Sequence, residues 1–274
     1  MLEGKTFLIT GIADQHSLAM YTAQGIQAYG GQVVCTGLGV SSHHKNLASK
    51  SRDFLQKNFL DFETNVHQVL GKSTPTAVLD VTLPATIQDF CMQMQAAGIC
   101  FDGFLHAIAM DKTIRQKQVK PLLEVSREDF WETMQVSAFS LIEIIQALEK
   151  KQLLNAGASI CSLSYIAAER VSFHPYRNIS IAKAALERIT VELADEMGRK
   201  NGTRVNCIRF SPYMGSKAGN ATLRIEDFER SEQVSPLGNA TPEDLAEEII
   251  HLFRPNSRIT GEIRHVDGGY HIMG

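Results

Sequence analysis

The chain has 274 residues, with 27 Lys and Arg against 30 Asp and Glu, giving a formal charge of −3. Hydrophobic residues make up 44% and charged residues 21%, a globular balance that excludes wholesale disorder. The near-neutral charge leaves no footprint for nucleic acid, and no run of about 18 apolar residues marks a membrane span. The start, Met1-Leu2-Glu3-Gly4-Lys5, has no secretory h-region, and the scattered cysteines form no CxxC pair. A cytoplasmic protein without disulfides or metal is expected, as one domain over residues 1–274.

Short apolar runs alternate with helical patterns almost to the end. A first strand is predicted over residues 6–10, closed by Gly11. Small and apolar residues over 17–28 predict a helix, stopped by Gly30-Gly31. Further strands are predicted over 32–36, 76–81, 104–108, 158–163, 204–210 and 262–266. A helical segment near 47–59 interrupts the long stretch before the third strand. Ser126-Arg127-Glu128-Asp129 and Thr241-Pro242-Glu243-Asp244 read as helix starts, the second with Pro at the first helical position. Ile179, Ala182, Leu186, Ile189, Leu193 and Met197 mark one face of a further helix. Continuous apolar strands separated by helices require a parallel sheet covered on both faces. The predicted class is therefore α/β, a single doubly wound Rossmann-like domain with a seven-stranded parallel sheet. Ligands bind such sheets outside the carboxyl ends of the strands, so residues 211–234 are placed to cover one.

The loop Thr10-Gly11-Ile12-Ala13-Asp14-Gln15-His16-Ser17-Leu18-Ala19 brings backbone N–H groups and a helix start toward a pyrophosphate. It is not GxGxxG, because Ala13 and Ser17 stand near the places of glycines. Asp14 and His16 read as solvated loop residues. No acidic residue closes the second strand at Thr36-Gly37-Leu38-Gly39. The run Ser41-Ser42-His43-His44-Lys45 reads as a solvated loop, or as a receiver of a 2′-phosphate if it folds inward. Tyr176 and Lys183 are almost two helical turns apart, so both side chains can share one face.

Several stretches resemble, in order, the motifs of the bacterial enoyl-acyl-carrier-protein reductases, a divergent branch of the short-chain dehydrogenase/reductases. They are Gly11-Ile12-Ala13 with Ser17-Leu18-Ala19, then Phe101-Asp102-Gly103-Phe104-Leu105-His106-Ala107-Ile108-Ala109. Leu163-Ser164-Tyr165-Ile166-Ala167-Ala168-Glu169-Arg170 and His265-Val266-Asp267-Gly268-Gly269 follow. Tyr176 and Lys183 match that family's Tyr-x6-Lys signature. Ordinary short-chain dehydrogenases place Lys four after Tyr, and here the residue four before Lys183 is Ile179.

The resemblance implies an oxidoreductase that uses NADH or NADPH to reduce the trans-2 double bond of an enoyl thioester in fatty-acid elongation. The thioester would be carried on acyl carrier protein or CoA. Catalytic roles are implied for Tyr176, Lys183 and Tyr165, with Tyr176 donating its hydroxyl to the thioester oxygen and Lys183 holding the nicotinamide ribose. Cofactor contacts are implied from Gly11, Ala13, Ser17, Leu18, Ala107, Ile108, Ala109, Lys183, Pro212 and Tyr213, with Asp80 and Val81 at the adenine. Tyr165, Tyr176 and Met214 are expected at the substrate, whose acyl chain would lie under residues 211–234 against Tyr213, Met214, Ala218, Ala221 and Leu223. A homotetramer is implied as well, packed through the Ile142 helix and the Tyr176 helix.

The chain also departs from the pattern. Ala107-Ile108-Ala109 stands for Ser-Ile-Gly, and Ser211-Pro212-Tyr213-Met214-Gly215 for Gly-Pro-Ile-x-Thr. Gly215 thus replaces a pyrophosphate-binding Thr, with Ser216 the nearest substitute. The interval from Tyr165 to Tyr176 is one residue longer, and His174 is a candidate acid/base within it. On these departures two alternatives stay open: a short-chain reductase of another carbonyl or enone, and a non-catalytic nucleotide-binding paralogue.

Overall fold

The structure is a computed structural model and describes residues 1–173 and 176–273. The strands are β1 Thr6–Ile9, β2 Gln32–Gly37, β3 Thr76–Val78, β4 Phe101–His106, β5 Ile114–Arg115, β6 Gln118–Val119, β7 Leu154–Ser164, β8 Arg204–Phe210 and β9 Ile263–Val266. Seven of them form one sheet in the order β3-β2-β1-β4-β7-β8-β9, and every pairing in it is parallel. The helices are α1 Leu18–Ala28, α2 Ser49–Leu70, α3 Pro84–Ala96, α4 Arg127–Met134, α5 Ser140–Lys150, α6 Asn178–Asn201, α7 Lys217–Thr222, α8 Ile225–Val234 and α9 Pro242–Phe253.

The doubly wound topology follows from strands that are apolar on both faces. Leu8, Val34, Phe104, Ile160 and Val205 point to one side, where α3, α5 and α6 cover them. Phe7, Ile9, Val33, Leu105 and Ile208 point to the other, under α1, α2 and α9. Strand order reverses between β1 and β4, which opens a crevice at their carboxyl ends. Gly11 turns the chain there with φ +84°, and a Cβ on it would stand 2.2 Å from the Ala107 carbonyl oxygen. The end of β1 is pressed onto the end of β4.

The expected caps form. Ser126 Oγ accepts from the Asp129 N–H, and Thr241 and Asp244 close a reciprocal capping box. Four expected elements differ from those observed. β3 stops at Val78, while β4 and β7 begin earlier, at Phe101 and Leu154. The segment expected at 47–59 is the longer α2, which reaches Leu70 because Phe62, Val66 and Leu70 continue its buried stripe. The short antiparallel β5–β6 hairpin carried no signal above loop composition.

The helix after Ser126 is broken by a π turn over Gln135–Phe139 before α5 resumes. At that turn Ser137 Oγ donates to the Met110 carbonyl at 3.1 Å and accepts from the Met110 N–H at 3.0 Å. One hydroxyl therefore pins the loop leaving β4. Ser137→Ala should strand both backbone groups and cost about 1–3 kcal/mol in urea unfolding; an unchanged midpoint would show that water replaces the hydroxyl.

Candidate active site

A cleft opens at the carboxyl edge of the sheet. Its walls include Leu18, Ala109, Met110, Ser164, Tyr165, Tyr176, Lys183, Pro212, Tyr213, Ser216 and Thr222. Lys183 reaches it from α6, whose apolar face seats Ile179, Ala182 and Leu186 against the sheet. Lys183 Nζ donates to the Leu163 carbonyl at 2.7 Å and to the Ile108 carbonyl at 3.5 Å, where β7 and the β4 loop end. Burial of the ammonium lowers its pKa to about 8, against smaller raising effects from Cys207 and Glu187.

Tyr176 is not on the helix. It stands two residues ahead of Asn178, where α6 begins, and Arg177 between them has φ +50°. Tyr176 and Lys183 therefore do not share the helix face that their spacing predicts; a strained turn brings them to one cleft instead. Asn178 fixes that turn by donating to Thr133 Oγ1 of α4 at 2.9 Å. Burial pushes the Tyr176 hydroxyl up to about 12, and a hydrogen bond with Thr222 acts the other way.

Tyr165 follows the last residue of β7, and its ring meets that of Tyr176 edge-to-face, with centroids 5.5 Å apart. The longer interval between them has not separated them. Burial raises the Tyr165 pKa, and its hydroxyl is hydrogen-bonded with Ser172 and Tyr270. His174 lies outside the described residues.

The cover is built from α7 and the β5–β6 hairpin, which brings Ile114 to the rim. Tyr213 Oη donates to the His16 carbonyl at 3.1 Å. Asp14 is more than a solvated loop residue. Its Oδ1 accepts from the His16 N–H and from Ser17 Oγ, and its Oδ2 accepts from the Lys217 N–H at the start of α7. The loop after β1 and the covering segment are thus latched together. Ser216 caps α7 through the Gly219 N–H. A Cβ on Gly215 would lie 2.2 Å from the Tyr213 hydroxyl, so any side chain at 215 would have to push the Tyr213 ring aside. The two departures in this stretch accommodate one another.

Several expected cofactor residues lie beside the cleft and not in its walls. Ser17 Oγ accepts from the Ala13 and Asp14 N–H groups, shaping the loop. No side chain caps α1, and Leu18 at its start lines the cleft. Asp80 is buried at the end of β3, and Val81 packs into the core. The 41–45 loop does fold inward. His44 Nδ1 accepts from the Ser41 N–H, so Nε2 carries the hydrogen and donates to Asp80 Oδ2 at 3.1 Å. Gly37 and Gly39 press against Phe62 and Phe59 instead of presenting a side chain. Of the residues expected under the acyl chain, Tyr213 lines the cleft; Met214 and Ala221 do not, and Leu223 is buried. Thr222 and Met110, which no local motif announced, line it as well.

The profile of the family described as Enoyl-(Acyl carrier protein) reductase matches residues 11–271. The chain belongs to this family. It is 30% identical over 279 residues to the enoyl-(acyl-carrier-protein) reductase (NADH) FabI of Rickettsia bellii, covering all of this chain and 96% of that one. The solved FabI–NADH complex from Alistipes finegoldii superposes with TM-score 0.83 at 28% identity, covering all of this chain and 90% of that one. The Bacillus cereus enoyl-acyl carrier protein reductase solved with NADP+ and indole naphthyridinone superposes with TM-score 0.80 at 27% identity. That match covers all of this chain and 98% of the Bacillus cereus one. Among the described residues no helix is long and apolar enough to cross a membrane.

Within the enoyl reductase family pattern, Gly215 carries a testable consequence. Gly215→Ala should displace Tyr213 and loosen the cover, speeding tryptic cleavage after Lys217 several-fold. Cleavage at the wild-type rate would place Tyr213 elsewhere in solution.

Proposed function

We propose that this chain reduces the trans-2 double bond of an enoyl thioester, borne on acyl carrier protein, with NADH as the reductant. The observation that carries the reading is the convergence of Tyr165, Tyr176 and Lys183 on one cleft at the sheet's switch point. It joins full-length similarity to relatives named as NADH-dependent enoyl reductases.

The cleft suits a dinucleotide. An uncapped helix start, a tight Gly11 turn and a buried Asp80 lie along one edge of the sheet, and Lys183 stands at the other end of that edge. Leu18 and the Ala13–Ser17 turn would hold the pyrophosphate, Asp80 the adenine, and Lys183 the nicotinamide ribose. Ala109, Pro212 and Tyr213 would flank the nicotinamide. When bound, the cofactor supplies the hydride. CoA as an alternative carrier, a homotetramer, and residues 211–234 as the substrate cover belong to the same proposal. NADPH is an alternative donor, since the inward 41–45 loop offers polar groups and no carboxylate of its own at the end of β2.

Hydride addition to the β-carbon places negative charge on the thioester oxygen, and a proton taken from water at the α-carbon then collapses the enolate to the saturated thioester. Tyr176 donates its hydroxyl there, and with its pKa raised to about 12 it stays protonated at neutral pH. A donor aimed at charge that develops only in the transition state accelerates the reaction instead of merely binding substrate. Tyr165, edge-on to Tyr176, orients the thioester from the other side. Lys183 contributes positive potential while protonated, below its pKa of about 8.

Loss of NADH absorbance with crotonyl-CoA or an enoyl-acyl-carrier-protein tests the reading. Tyr176→Phe should lower kcat by about 10²–10³. Wild-type protein that binds NADH yet turns over no enoyl thioester of any chain length would overturn it. Activity should fall as pH rises through about 8, where Lys183 loses its charge. Lys183→Arg should move that alkaline limb upward, because guanidinium stays charged at any such pH.

A further inference from the structure

Behind the cleft wall lies a buried ion pair that none of these roles uses. Arg209, next to the last residue of β8, donates from Nε to Glu187 Oε1 at 2.8 Å and from Nη2 to Glu187 Oε2 at 2.7 Å. The two side chains are only 9% and 10% exposed. Glu187 Oε1 also accepts from Ser164 Oγ at 2.6 Å. Ser164 lines the cleft and directly precedes Tyr165. The remaining arm of Arg209 reaches the Glu169 carboxylate and approaches His265 Nε2 at 3.4 Å.

Glu187 sits one helical turn after Lys183, a spacing at which opposite charges normally pair. Among the described residues no ion pair joins them, and Lys183 Nζ donates to backbone carbonyls instead. Both Glu187 oxygens are already taken. A guanidinium fork matches a carboxylate bidentately, a grip that an ammonium cannot reproduce. We infer that Arg209 is a positioning residue for the reaction: it braces Glu187 on Ser164 and off Lys183, leaving that ammonium to the cofactor ribose.

The inference rests on the proposed role of Lys183. The titratable groups around that lysine are Glu187 on its own helix, Tyr176 ahead of it, His106 on β4 and Cys207 on β8. Burial holds His106 down at about 3 and Cys207 up at about 12, so neither is charged near neutral pH. Around Arg209 stand Glu187, Glu169 and His265, and burial disfavours the charged form of His265. The local balance therefore reduces to Lys183, Glu187, Arg209 and the more exposed Glu169.

The test compares wild type with Arg209→Met, Arg209→Lys and the double variant Arg209→Met/Glu187→Gln. NADH affinity by fluorescence and KM for NADH would be followed from neutral to alkaline pH. Arg209→Met should free Glu187 to seize Lys183, weakening NADH binding roughly tenfold and raising the alkaline limb by about one pH unit. Arg209→Lys should fall between, since a single ammonium grips one oxygen. The double variant, with no carboxylate left to compete, should recover most of the affinity and return the limb. A double variant as impaired as Arg209→Met, or a limb that never moves, would overturn the inference. If Arg209→Met fails to fold, the limb of Arg209→Lys decides by the same criterion. Binding is read without turnover, so an inert wild type would count against the proposed reaction while the limb still judges Arg209.

Discussion

A lysine ammonium held at the carboxyl edge of the sheet, by the carbonyls that end two adjacent strands, sets the terms for the rest of the molecule. Desolvating a cation is costly unless its hydrogen bonds are replaced. Here Leu163 and Ile108 supply them only because β4 and β7 lie side by side at the switch point. Lys183 arrives there because α6 buries Ile179, Ala182 and Leu186 against the same face. The parallel topology, the docking of α6 and the position of the charge are one constraint seen at three scales.

The hydroxyl side of the cleft is held by different means. Tyr176 is carried by a turn with Arg177 in a left-handed conformation, and Asn178 anchors that turn to α4. Such strain persists only where its surroundings over-determine it. The edge-to-face packing of Tyr165 and Tyr176 and the bonds from Tyr165 to Ser172 and Tyr270 do so. Across the cleft, Tyr213 and Gly215, which depart from the family pattern, are fitted to one another, and Asp14 ties their segment to the loop after β1. A side chain at 215 would evict the Tyr213 ring, and without Asp14 the first turn of α7 loses its tie to the loop after β1.

Electrostatics in this region is arranged more for placement than for net stability, since buried ion pairs seldom repay their desolvation. The charges of Glu187 and Arg209 satisfy one another and Ser164 behind the cleft wall. His106 and Cys207 are kept neutral by burial. The cleft walls therefore carry the Lys183 ammonium and the Asp111 carboxyl beside three phenols that burial keeps un-ionised, those of Tyr165, Tyr176 and Tyr213.

Much of this was legible in the sequence. Apolar strands separated by helices specified a parallel sheet covered on both faces, and Thr241-Pro242-Glu243-Asp244 and Ser126-Arg127-Glu128-Asp129 fixed helix starts. These features are local, and a chain carries local preferences in its order of residues. Family motifs at Gly11, Tyr165, Tyr176 and Lys183 pointed to the carboxyl edge, where the cleft opens. The β5–β6 hairpin, the π turn at Gln135–Phe139, the contact of Thr222 with Tyr176 and the Asp14 latch were not legible. Each depends on partners tens to hundreds of residues away in sequence, where no short-range pattern records the encounter. The same holds for Tyr176, assigned to a helix by spacing and placed outside it by the packing of Asn178. Residue order was enough for the strands and helices of the main sheet and for the residue types able to do the chemistry. Which side chains meet was settled in the packed molecule, because burial and hydrogen-bond satisfaction are decided between elements, not within them.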